Sequence, residues 1–157
     1  YSETGRRLTD LFGRPEVRQV EERFYDGRYV QISARGEFMI SKSEVIIADH
    51  LFYQKVPYVF EEPVTDGRGI TIHPDFTIEN RARGVTYYWE HLGMLTDAGY
   101  RAKWERKLEW YNGMEVVPHE KATDESAKVL ITTRDKPDGG IDSQDVMHII
   151  EKVIKGV

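Results

Sequence analysis

Apolar residues recur at helical spacing in three segments of the chain. Ser41 followed by Glu44 has the spacing of a capping box at the start of the first segment. In the second segment Trp104, Leu108 and Tyr111 fall at positions i, i+4 and i+7, which is typical of a helix that faces a core. The predicted helices cover residues 42–54, 96–112 and 143–155.

Runs rich in β-branched and aromatic residues separate these helices and predict strands. Asp66-Gly67 between two such runs is a hairpin signal, and Pro74 interrupts the second run, which indicates an edge, a bulge or a bend. The predicted strands cover residues 28–35, 38–40, 58–62, 69–78, 85–90, 115–117 and 128–133. Three meander-like strands followed by a crossover helix predict an α/β or α+β fold, with a mixed sheet and helices on both faces.

The length and composition of the chain exclude several classes of protein. The chain has 157 residues, which suits one domain, and its net charge of −5 gives no global basic field. The absence of cysteine excludes disulfide scaffolds, thiolate zinc sites and cysteine nucleophiles. No apolar run approaches the roughly 20 residues of a membrane span, so we expect no membrane partner. Because the first residue is Tyr1 rather than Met, we expect a piece of a longer chain.

Acidic residues are concentrated in residues 44–75, which hold two Lys/Arg and six Asp/Glu, a net of −4. Asp75 interrupts an apolar strand and Glu90 ends the next one, so pairing of the two strands would bring their carboxylates together. Two close carboxylates need a proton or a cation between them, and a hard divalent cation prefers carboxylate oxygens. Glu44 could supply a third. Each also has a structural alternative: a helix cap for Glu44, turn chemistry for Asp75, and a strand-end ion pair for Glu90.

Three blocks of sequence resemble a known family. They are residues 41–48 (SKSEVIIA), 73–78 (HPDFTI) and 87–93 (YYWEHLG), and together they are similar to the PD-(D/E)XK, or restriction-endonuclease-like, nuclease superfamily. The resemblance is greatest to nuclease domains that accompany superfamily 1 DNA helicases in bacteria and phages. Residues 100–111 and 130–143 look like the same group. The resemblance covers about residues 37–150.

The resemblance implies a fold and a set of roles. The core would be a mixed four- to five-stranded sheet flanked by helices in an αβββαβ order, with residues 1–36 as an N-terminal extension and 37–157 as the nuclease-like domain. Asp75 and Glu90 would hold Mg²⁺ or Mn²⁺, the backbone carbonyl of His91 would complete that side, and Glu44 would reach the metal directly or through water. The implied activity is metal-dependent phosphodiester hydrolysis, and we expect an endonuclease.

One position departs from the family's motif. The motif has lysine two residues after its second acid, and Leu92 stands there. His91 is a candidate basic group, although neighbouring strand positions point to opposite faces. Lys107 is our first choice and Lys103 our second, because some superfamily members take the basic group from the next helix. A solvated helix edge is the structural alternative for both lysines.

The nucleic acid would need further contacts. Arg81, Arg83, Arg134 and Lys103 are candidates for phosphate binding, each with plain surface charge as the alternative. We expect DNA as the nucleic acid, a helicase domain in the same parent chain, and a cytoplasmic location. Two other interpretations stay open: a catalytically weak or inactive nucleic-acid-binding or docking module on the same fold, and a structural domain that tethers a helicase or another enzyme.

Overall fold

The computed structural model describes residues 31–93 and 95–156, and the chain divides after Lys55 into two compact units. Most of the predicted N-terminal extension lies outside the described residues. The predicted boundary between residues 36 and 37 stays a prediction. Among the described residues, no helix is both long enough and apolar enough to span a bilayer.

The described part of the first unit is a short hairpin followed by a helix. Strands β1 (Gln31–Ile32) and β2 (Phe38–Met39) pair antiparallel, and helix α1 covers Lys42–Tyr53. The helix begins as the sequence predicts, because the Ser41 hydroxyl accepts a hydrogen bond from the Glu44 amide at 3.3 Å. Its buried residues include Ile47 and Leu51.

The second unit is built on a five-stranded mixed sheet in the order β3-β6-β7-β9-β8. The strands are β3 (Val59–Phe60), β6 (Phe76–Asn80), β7 (Val85–Leu92), β8 (Val117–Pro118) and β9 (Lys128–Arg134). The pairs β3–β6 and β6–β7 are antiparallel, whereas β9 runs parallel to both β7 and β8. Helix α2 (Ala98–Gly113) lies in the crossover between β7 and β9. The predicted mixed sheet with helices, in the α+β class, is confirmed.

The predicted strand over residues 69–78 is in fact two strands. Strands β4 (Val64–Thr65) and β5 (Thr71–Ile72) form a separate antiparallel hairpin around the Asp66-Gly67 turn, and β6 begins after Pro74 in the main sheet. Proline has no amide hydrogen to donate to a ladder, so the chain changes sheet at this point. Asp75 therefore occupies the link into β6 rather than a strand interior.

The two faces of β7 are covered by different elements. Tyr88 and Leu130 form a core cluster with Trp110 and Tyr111 of α2. On the other face, the Tyr87 hydroxyl donates to the Val153 carbonyl at 2.9 Å. That carbonyl belongs to the closing helix, which runs as α3 (Ser143–His148) and continues as a π-helical segment (Ile149–Ile154). Each face of the central strand thus has its own helix.

Candidate active site

The strand register brings Asp75 and Glu90 together. Phe76 pairs with Trp89, so Asp75, one residue earlier, lies beside Glu90. The Asp75 amide hydrogen-bonds the Glu90 carboxylate, and one oxygen of Asp75 accepts from the His91 amide at 2.7 Å. Backbone groups of each strand end therefore hold the carboxylate of the other.

Glu90 is buried, with 3% of the residue exposed, and its carboxylate is held by two side chains of α2. The Lys107 ammonium lies 2.9 Å from one oxygen and 2.8 Å from the other. The Tyr111 hydroxyl donates to Glu90 at 2.5 Å. Lys107 and Tyr111 are one helical turn apart, so they reach the same point from the same helix face.

Lys107 also fixes the link that carries Asp75. Its ammonium donates to the His73 carbonyl at 3.0 Å, and the His73 ring contacts the Glu61 carbonyl at 3.2 Å. Glu61 itself has a φ of 55°, which is uncommon for a residue other than glycine, and its amide donates to the Asp75 carbonyl at 3.1 Å. These contacts fix the backbone before Asp75, at His73, and at the Asp75 carbonyl itself.

Burial raises the pKa of both carboxyl groups, and at Asp75 the charge of Glu90 raises it further. Partial burial and the negative charge of Glu90 raise the pKa of Asp75 to about 7, against the lowering effects of the His91 amide and Lys107. Burial raises the pKa of Glu90 and outweighs the lowering by Lys107 and Tyr111. Burial and the Glu90 carboxylate also raise the pKa of Tyr111, so its hydroxyl stays a donor.

The His91 side chain lies on the opposite face of β7 from Glu90. Its ring contacts the Thr133 hydroxyl at 2.9 Å and the Asp135 carboxylate at 2.7 Å. The Tyr100 hydroxyl donates to the His91 carbonyl at 3.4 Å. His91 thus contacts Asp75 through its amide, and the structure does not bring its ring to Glu90.

The other predicted site residues have different positions. Leu92, which stands where the family's motif has lysine, is buried. Lys103 lies on α2 one turn before Lys107, on an exposed stretch of the helix. Glu44 belongs to the first unit, so its distance from Asp75 and Glu90 stays a prediction.

The predicted binding of phosphate by three arginines stays a prediction, although the structure shows where each of them lies. Arg83 donates to the Val153 carbonyl at 2.9 Å and to the Tyr87 hydroxyl at 3.0 Å, so it fastens the end of the π-helical segment. Arg81 is exposed beside Glu79 at 3.6 Å. Arg134 is exposed at the end of β9.

Two of the four predicted metal ligands, Asp75 and Glu90, lie together in the structure, whereas Glu44 and the backbone carbonyl of His91 stay predictions as ligands. Across the described residues, no three His, Asp or Glu side chains are grouped so that they could hold a metal ion. Mg²⁺, however, is commonly bound through one or two carboxylates, with water and substrate phosphate completing its shell. Asp75 and Glu90 are two such carboxylates, and the Lys107 ammonium supplies the positive charge beside them. The donor set therefore fits Mg²⁺ provided that Lys107 shares or yields Glu90.

Sequence reasoning missed Tyr111, Thr133 and Asp135 as members of these networks. The spacing of four predicts that Tyr111 shares a helix face with Lys107, but it does not predict the hydrogen bond from the Tyr111 hydroxyl to Glu90. Thr133 pairs directly with His91 in the parallel register. No local pattern indicates that pairing, because the two strands are far apart along the chain.

Comparison of the chain with protein-family models, curated proteins and solved structures found no match. The resemblance to restriction-endonuclease-like nucleases therefore stays a prediction.

Proposed function

We propose that the second unit is a nuclease domain that hydrolyses phosphodiester bonds in DNA with the help of Mg²⁺ or Mn²⁺. The observation that supports this most directly is the meeting of two carboxylates of raised pKa with a lysine at the ends of β6 and β7. Buried acids with shifted pKa values and a specific charge partner are more frequent at functional sites than elsewhere.

The side chains of the site have different roles in this proposal, according to where each of them lies. Asp75 keeps part of its surface exposed to solvent, whereas Glu90 lies deeper. Lys107, with 24% of its side chain exposed, can offset charge that develops on a phosphate or hold the attacking water. Tyr111 and the His91 amide fix the two carboxylates. A bound divalent cation would lower the pKa of water and polarise the phosphate.

One observation favours the alternative, a nucleic-acid-binding or docking module without catalysis. Both oxygens of Glu90 already have donors, so the Glu90–Lys107–Tyr111 set is complete as a buried structural ion pair. A helicase domain in the parent chain and a cytoplasmic location belong to the nuclease proposal as further expectations.

Conversion of supercoiled plasmid to nicked circles tests the proposal. We expect cleavage by the full chain with Mg²⁺ or Mn²⁺, none with a chelator, and loss of at least about 100-fold in Asp75→Asn and Glu90→Gln, the scale of one lost transition-state contact. Glu105→Gln, an exposed acid of α2, is the matched control and should cleave normally.

The result also separates the two functions. Metal-independent binding of DNA without any nicking would favour the docking module. Nicking that survives in both Asp75→Asn and Glu90→Gln would overturn the assignment of these residues.

A further inference from the structure

A groove of about 900 Å³ opens in the second unit between the β4–β5 hairpin and helix α2. Four cationic residues line it against two acidic ones, a local excess of two positive charges on a chain of net charge −5. The cationic residues are Arg68, Lys103, Arg106 and Lys107, and the acidic ones are Asp66 and Glu109. The groove therefore suits an anionic ligand.

Two of these cations are available to a ligand. Asp66 already binds Arg68 at 2.9 Å, and Glu90 binds Lys107. Lys103 and Arg106, by contrast, form no ion pair with any residue in the described part of the chain, and both are exposed. The free positive charge of the groove is thus on the exposed edge of α2.

The hairpin wall is held firmly against the helix. The Trp110 indole donates to the Ile70 carbonyl at 3.1 Å, and an Asp66 oxygen accepts from the amides of Arg68 and Ile70, both at 2.9 Å. Thr65 and Thr71 hydroxyls meet across the hairpin at 2.6 Å. The groove is therefore a built feature of the fold.

Its floor is apolar. Ile70, Ile72, Met114 and the edge of Trp110 line it, and Ile70 is 45% exposed, which is high for a residue of this type. A ligand that offers both negative charge and flat apolar surface matches this combination. Unpaired bases offer that surface, whereas a duplex keeps its bases stacked inside and presents phosphates.

We propose that this groove binds single-stranded nucleic acid, with phosphates on Lys103 and Arg106 and bases against Ile70. The groove also reaches Lys107 and His73, which border the carboxylates, so a strand in it leads toward Asp75. The inference deepens the proposed function and rests on it for the role of the strand as substrate; binding itself does not require cleavage.

Fluorescence anisotropy with a labelled oligothymidylate, in chelator and over a salt series, tests the groove. Each lost phosphate contact lowers the slope of log K against log salt by about 0.7 for a single strand. We expect Lys103→Ala/Arg106→Ala to lower the slope by about 1.4, which corresponds to a loss of about 25-fold in affinity at about 0.1 M salt relative to a 1 M reference. Ile70→Ala should weaken binding at an unchanged slope.

Two matched variants control for charge. Lys121→Ala/Lys155→Ala removes two exposed cations that do not line the groove and should bind like the parent. Lys103→Arg/Arg106→Lys keeps both charges and should also bind normally. A parent chain that does not bind the oligonucleotide, a groove variant that binds unchanged, or tighter binding of the matching duplex would each overturn the proposal.

Plasmid nicking with the same variants separates this inference from the proposed function. If the parent binds the strand through the groove and never nicks DNA, the groove stands and the nuclease assignment fails. If the parent nicks DNA and the groove variant binds and nicks as well as the parent, the groove fails and the nuclease assignment stands.

Discussion

Protonation of the Asp75 carboxyl group makes the free energy of unfolding depend on pH. Its pKa is about 7 in the folded protein and about 3.9 in an unfolded chain. Between these values the folded state binds more protons than the unfolded state, so the free energy of unfolding falls as the pH rises through this window. The stability that protonated Asp75 contributes is therefore fully present below about pH 4 and is lost above about pH 7.

Asp75→Asn should remove much of this dependence. Asparagine can still accept from the His91 amide, and it has no charge to repel Glu90. We expect the parent to lose stability between about pH 4 and about pH 7, and the variant to lose less and to be more stable than the parent at neutral pH. Urea unfolding across this range measures it, with exposed Asp124→Asn as the control. Equal pH dependence in parent and Asp75→Asn would contradict the assigned pKa.

We expect Lys107 to contribute more to the free energy of unfolding than the partial exposure of its side chain suggests. Lys107→Met keeps an apolar stem of similar length but leaves the buried Glu90 carboxylate without its cation. We expect a loss of about 3 kcal/mol near neutral pH, as for other broken buried pairs. Chemical denaturation measures it, and Lys103→Met, one turn earlier and exposed, should be nearly neutral. Adding Glu90→Gln should recover part of the loss; a double variant with additive losses would mean that the two groups do not interact.

At the scale of elements, helix α2 is anchored toward its C-terminal end. Trp110 is 3% exposed and Tyr111 is fully buried, whereas Trp104 and Leu108 are only partly buried against the same cluster. The predicted core stripe over Trp104, Leu108 and Tyr111 is thus correct in direction, but only Tyr111 is fully buried.

Two tryptophans of α2 give a matched test of that anchoring. Trp110→Ala should cost about 3–5 kcal/mol, because it leaves a cavity in the core and frees the Ile70 carbonyl. Trp104→Ala should cost distinctly less, since its side chain keeps contact with water. Thermal and urea melts of the two variants measure the difference. Equal losses would show that the two ends of α2 are equally anchored.

The spacing of apolar residues predicted the helices and strands well wherever a single periodicity extended over a whole segment. The limits of α1, α2 and β9 lie within about two residues of those expected. The strand predicted over residues 69–78 failed because a period of two cannot tell a single strand from two strands in different sheets, although Pro74 marked the break. The final helix was predicted without its π-helical half, since a shift of hydrogen bonding leaves the apolar pattern almost unchanged.

The candidate site was predictable as far as local rules extend. Asp75 and Glu90 were expected to lie together because a short turn joins their strands. Lys107 was expected nearby because some members of the family that the chain resembles take their basic group from the next helix. The contact of His91 with Asp135 and Thr133 depends on the parallel register of β7 and β9. That register is set by packing of the whole sheet, so no short segment of sequence contains it.

At the scale of the whole molecule, charge is distributed unevenly along the chain. Residues 44–75 carry a net −4, whereas residues 76–111 carry six Lys/Arg and five Asp/Glu, a net of +1. Lys107 from the second segment meets the backbone at His73 in the first. Lys107 thus brings one positive charge near Asp75, the last acid of the first segment, while its ion pair is with Glu90 of its own segment.

The parallel pairing of β7 with β9 has a consequence for the order of folding. Asp75, Glu90, Lys107 and Tyr111 all lie within residues 75–111, which fold back through one turn and one helix. Strand β9 joins only after the loop of residues 93–127 closes, and such long closures are entropically slow. During translation, every residue of the carboxylate cluster therefore leaves the ribosome before strand β9 does.

Two buried isoleucines allow this order to be measured. Ile78 on β6 and Ile131 on β9 are 1% and 0% exposed, and Ile→Val at either should cost about 1 kcal/mol. We expect Ile78→Val to slow folding and Ile131→Val mainly to speed unfolding in stopped-flow experiments. The reverse pattern, slower folding in Ile131→Val and faster unfolding in Ile78→Val, would contradict this order. It would mean that β9 pairs with β7 before the carboxylates and Lys107 come together.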